Sequence, residues 1–110
     1  MAQQARTQAR GTMKHSIIAQ QMGVEKYTEY VIKQEFSHNK HLVIKFPNGY
    51  GASILKFNYA PYNGFVELAV LKFKTKKTYE FVYDTPITDD VLWTTNANEA
   101  LEQIKNLEAK

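Results

Sequence analysis

The stretch Phe46-Pro47-Asn48-Gly49-Tyr50-Gly51-Ala52-Ser53 decides how this chain is to be read. Asn-Gly between two apolar runs signals a β-hairpin, because both central residues of a type I′ turn need positive φ. A two-residue loop at Asn48-Gly49 sets Phe46 opposite Gly51, Ile44 opposite Ser53 and Leu42 opposite Leu55. One face of the hairpin then carries Leu42, Ile44, Phe46, Leu55 and Phe57. The other carries Val43, Lys45, Tyr50, Ala52 and Ile54. The first face is the expected core.

Outward from the hairpin, period-two alternation and turn residues predict further strands. Tyr27–Phe36 is rich in β-branched and aromatic residues and reads as a strand, followed by a polar turn at 37–40. Asn58–Gly64 is a turn-forming loop, Phe65–Phe73 a strand, Lys74–Lys77 a charged turn and Thr78–Asp84 the returning strand. In that hairpin Val66, Leu68 and Val70 are expected to face Phe81 and Tyr83. Pro86, which lacks a ladder donor, ends the sheet. Before the strands, Lys14–Met22 suits a turn or two of helix ending at Gly23. After them, Asn96 and Glu99 resemble a capping box, and Ala97, Ala100, Leu101, Ile104 and Leu107 form a helical stripe. Trp93 is expected to anchor the crossing between sheet and helix. The predicted fold is α+β: an antiparallel meander of four or five strands with the C-terminal helix packed on one face. Its second face, with Val43, Ile54, Ala69, Leu71 and Val82, is only partly polar and suggests a homodimer or partner surface.

Composition narrows the functional classes. With 110 residues and no cysteine, the chain has the size of one domain and can form neither disulfides nor thiolate metal sites. Both arginines, Arg6 and Arg10, lie in residues 1–12, a Gln/Ala/Thr-rich segment without apolar period. That segment reads as a disordered leader or expression tag preceding a single domain at 13–110. Without those arginines, twelve lysines face eleven carboxylates, so the basic balance says little about nucleic acid. No apolar run approaches the ~20 residues of a membrane span. A cytoplasmic protein is expected.

Four groups are candidates for chemistry or binding. Asp84, Asp89 and Asp90 have the oxygen chemistry of a divalent cation site, yet their place beside Thr88 suits capping, so no metal is assigned. His38 and His41 lack a third ligand and read as solvated turn residues. Lys72, Lys74, Lys76 and Lys77 cluster at a hairpin tip; they are the alternative nucleic-acid site, against the usual role of lysine in blocking edge pairing. Tyr50, Tyr59 and Tyr62 lie on or beside turns and are the expected partner-binding residues, since tyrosine gives contact area at low entropic cost. With no nucleophile–base pair or cofactor motif legible, the chain reads as a non-enzymatic module.

Taken in order, Phe46–Ser53 (FPNGYGAS), Glu67–Leu71 (ELAVL) and Tyr83–Val91 (YDTPITDDV), followed by an amphipathic helix, resemble a group of small uncharacterised proteins of tailed bacteriophages and prophages. The resemblance covers roughly residues 41–108. It implies an accessory protein acting in the cytoplasm of an infected bacterium; the turn-borne tyrosines and the lack of a catalytic constellation add the expectation that it binds a host or phage macromolecule. It implies no catalytic residue and no cofactor.

Overall fold

The computed structural model describes residues 16–36, 39–57, 64–88 and 90–108. A short helix α1 (Ile17–Gln21) and a 3₁₀ helix (Glu25–Tyr30) precede strands β1 (Val31–Phe36), β2 (Lys40–Lys45), β3 (Tyr50–Lys56), β4 (Val66–Phe73), β5 (Tyr79–Phe81) and β6 (Leu92–Thr94). Helix α2 (Ala97–Lys105) closes the chain. Every strand pair is antiparallel, in the order β1-β2-β3-β4-β5, with β6 also pairing β4. The two short strands divide one edge of β4: β5 takes Leu71–Phe73 and β6 takes Val66–Leu68. The expected α+β sheet with a C-terminal helix on one face is what the chain forms.

The central hairpin departs from expectation in one respect that changes everything downstream. Phe46 N–H donates to Tyr50 O at 2.8 Å and Gly49 N–H donates to Phe46 O at 3.1 Å, so the loop has three residues, Pro47-Asn48-Gly49. Gly49 has φ +89°, and no described non-glycine residue has positive φ. A type I′ turn needs Asn48 in the left-handed region as well. Pro47 instead presets the first central position of a type I turn, and Gly49 supplies the left-handed residue that follows it. Ile44 therefore stands opposite Ala52 and Leu42 opposite Ile54. A one-residue slip turns a whole strand over. Tyr50, Ala52 and Ile54 face the core, while Gly51, Ser53 and Leu55 face away.

Asn48 has a second task. Its Nδ2 donates to Ile104 O, Lys105 O and Leu107 O at 2.9, 3.1 and 3.0 Å, and its Oδ1 accepts from Tyr50 N–H at 3.0 Å. The hairpin loop thus caps the carbonyl end of α2, where backbone acceptors have no helical partner.

The core fills the helix-covered face. Leu42, Ile44, Phe46, Ile54, Leu68, Leu101 and Ile104 are fully buried, and burial of each large aliphatic side chain contributes about 1.5–3 kcal/mol. Ala97, Ala100, Leu101 and Ile104 are the buried stripe of α2, as its spacing predicts. Asn96 occupies the N-cap position but makes no side-chain cap bond. The expected strand at 27–36 begins only at Val31. Tyr27 is drawn inward instead: its ring meets Phe46 edge-on at 5.8 Å, and its hydroxyl donates to Glu102 Oε1 at 2.7 Å. Ser16 caps α1 by accepting from Ala19 N–H at 3.1 Å, and Gly23 at φ +76° ends the turn that follows.

Three other expectations are corrected. Leu71 stands opposite Phe81 and Phe73 opposite Tyr79, so Phe81 lies on the face away from Val66, Leu68 and Val70. Trp93, rather than bridging sheet and helix, lies in β6 opposite Glu67 and stacks on Phe57 at 5.6 Å. Of the residues assigned to the second face, Val43, Ala69 and Leu71 are there; Ile54 faces the core and Val82 packs against it. Among the described residues no helix is long and apolar enough to cross a membrane.

Candidate functional site

Both described α-helices lie on the core face, where α1 packs on β2 and α2 on β3 and β4. Strand alternation therefore assigns the opposite face Lys33 and Glu35 from β1, and His41, Val43 and Lys45 from β2. From β3 and β4 come Gly51, Ser53, Leu55, Glu67, Ala69, Leu71 and Phe73, joined by Tyr79, Phe81 and Trp93. Val43 and Leu71 are fully buried within it, whereas Phe81 and Trp93 are 51% and 43% exposed. Phe73 lies over Gly51; a Cβ at position 51 would meet Phe73 Cε1 at 2.8 Å and run into Ile44 O. Glycine is required there by the close approach of ring and backbone.

A hydrogen-bonded row crosses this face. Glu35 and His41 are direct cross-strand partners, and Ser53, opposite Val43, is the diagonal neighbour of His41. His41 Nε2 lies 2.8 Å from Ser53 Oγ, and His41 Nδ1 lies 3.3 Å from Glu35 Oε1. An ionised carboxylate only accepts, so Nδ1 carries the proton in neutral His41, and the Nε2 lone pair accepts from the serine hydroxyl. Lys33 Nζ sits 3.6 Å from the same Glu35 oxygen. The hydrogen bond from His41, followed by the charge of Lys33, holds the Glu35 carboxyl below the usual range. The row opens into a concavity of about 430 Å³ lined also by Asn39, Leu55, Glu67, Ala69, Phe81 and Val91. In chemical terms this is a hydroxyl, a base and an orienting carboxylate in sequence, on one side of an aromatic wall.

The residues singled out from sequence fall elsewhere. Tyr50 is 8% exposed on the helix-covered side, with Lys72 Nζ 5.8 Å from its ring centroid. Tyr59 and Tyr62 lie outside the described residues, as do His38 and Asp89. Of the lysines, Lys72 pairs with Glu80 across the ladder, Lys74 reaches Glu80 at 3.5 Å, and Lys76 and Lys77 are exposed in the turn. Thr88 Oγ1 accepts from Asp90 N–H at 3.1 Å, the capping role expected of it. Among the described residues no three His, Asp or Glu side chains are grouped for a metal.

Sequence reasoning took His41 for a solvated turn residue, did not single out Glu35, and missed Ser53 for one reason. The two-residue loop put Ser53 on the face of Ile44, and the true register moves it to the face of His41. The signal that could have found it is Pro47 before Asn-Gly, which favours the longer loop. No family model, curated protein or solved structure matches the chain.

Proposed function

We propose that this protein is an interaction module of a tailed phage or prophage that binds a protein partner across the face of its sheet opposite the two described α-helices. The observation that carries this reading is the aromatic flank formed by β4, β5 and β6. Phe81 and Trp93 are about half exposed, and the ring of Phe57 stacks on Trp93. Large aromatic rings held by a rigid sheet lose little conformational freedom on binding and dominate interface energetics. Glu67, opposite Trp93, adds a carboxylate that favours a partner segment carrying a basic side chain among apolar ones. The motif resemblance supports a phage setting, and with it an infected bacterial cytoplasm. Self-association on the same flank is the second use we assign to it.

Affinity capture from infected-cell lysate tests the reading. Wild-type protein should retain a discrete partner, and a Phe81→Glu, Trp93→Ala variant with unchanged circular dichroism should lose it. Equal capture by both proteins defeats the proposal. Light scattering on the same pair at high concentration reads out self-association, which a strictly monomeric wild type excludes.

A further inference from the structure

We propose that Ser53 is an activated nucleophile, with His41 as its general base and Glu35 orienting the imidazole, and that its substrates are acyl compounds with stable leaving groups. This goes beyond partner binding: the reacting residues are separate, and the concavity beside them shares Phe81 and Glu67 with the aromatic flank. The bonds run in the order that nucleophilic catalysis needs, hydroxyl to Nε2 at 2.8 Å and Nδ1 to carboxylate at 3.3 Å. The three residues come from three adjacent strands, so the ladder fixes their Cα positions. Ala69, directly opposite Ser53, and the concavity of about 430 Å³ leave room for a small acyl group above the hydroxyl.

The same geometry limits the substrate. Ser53 lies in a strand paired on both sides, so the nearby backbone N–H groups serve the ladder rather than a developing oxyanion. Only side chains remain for that charge. An aryl ester or thioester, whose departing anion is already stable, suits such a site. Ser53 Oγ attacks the acyl carbon as its proton passes to His41 Nε2. The bond to the leaving oxygen or sulfur breaks, and that group takes the proton from His41. Water then adds to the acyl-Ser53 carbon, giving its proton to His41; the bond from that carbon to Ser53 Oγ breaks, Oγ takes the proton back from His41, and the carboxylic acid departs.

A fluorophosphonate probe on the full chain tests this without knowledge of the substrate. Attack by Ser53 forms an O–P bond and expels fluoride. The chain has three serines, so Ser16 and Ser37 are internal controls. Labelling mapped by mass spectrometry should fall on Ser53. His41→Gln should slow it about a hundredfold. Glu35→Gln, at an exposed position, should slow it several-fold and alter the pH profile. The proposal is overturned if Ser53 reacts no faster than Ser16 or Ser37, or if His41→Gln labels at the wild-type rate. Should His41→Gln not fold, an unchanged pH profile in Glu35→Gln overturns it equally.

Discussion

Replacing Asn48 probes the link between the central hairpin and the last helix. Its Nδ2 has two hydrogens and faces three carbonyl oxygens at 2.9, 3.1 and 3.0 Å, while its Oδ1 holds Tyr50 N–H. Asn48→Ala removes both functions. Each net hydrogen bond is worth about 1 kcal/mol, and although Ile104 O keeps the Leu107 N–H at 3.1 Å, the helix end and Tyr50 N–H lose the side chain that joins them, so a loss of about 2–3 kcal/mol is expected. For a domain of this size that lowers Tm by about 10–20 °C. Asn48→Asp is the sharper variant, because it keeps the shape and the acceptor for Tyr50 while replacing the donor by a carboxylate. That charge meets three carbonyls and the negative end of the helix dipole, which adds about 0.3–1 kcal/mol of destabilisation at neutral pH. The carbonyls raise the folded-state pKa of the introduced carboxyl above its unfolded value. Its protonated form is thus the better tolerated, and the variant recovers relative to wild type as pH falls through that raised pKa. Urea unfolding followed by the single tryptophan, Trp93, measures all three proteins. If Asn48→Asp matches wild type at neutral pH, the loop does not hold the helix end.

Two further variants follow from packing and ionisation. Gly51→Ala should cost about 1–3 kcal/mol, read as a lower urea midpoint at unchanged slope, because the new methyl meets the Ile44 carbonyl and the Phe73 ring. Tyr27→Phe removes the hydroxyl that donates to Glu102. That hydroxyl is held well above its usual pKa by burial and then by Glu102, and its hydrogen bond is the main cause that lowers the Glu102 pKa. A depressed carboxylate pKa contributes stability above its unfolded value and loses it as pH falls through the folded one. The Tm gap between wild type and Tyr27→Phe should therefore be widest near neutrality and shrink on acidification into the carboxylate range. A gap that widens instead would contradict the assignment.

The parts of the fold readable from sequence are those whose pattern is local. The stripe from Ala97 to Ile104 has the helical period, and Leu42, Ile44 and Phe46 alternate against a single buried face. Strand register is different in kind. It rests on whether Asn48 or Pro47 governs the turn, and the two answers differ by one residue while inverting β3. Tyr27 shows a second limit: aromatic content favours a strand locally, but a buried ring bonded to Glu102, far along the chain, overrides that preference. β6 escaped notice because a three-residue strand has too few positions to display alternation. The candidate site inherited the register error, since its serine and histidine share a face only in the true pairing.

The divided edge of β4 has a consequence for how this chain stays apart from its neighbours. Two short segments, each contributing a few ladder bonds, shield most of an eight-residue hydrophobic strand. Because short terminal pairings fray before central ones, unzipping of either segment bares half of that margin while the other half remains guarded. Intermolecular strand addition, the first step of aggregation at an open margin, needs a longer continuous template than either half provides. Split protection of this kind lets β5 and β6 breathe separately without recruiting a second chain.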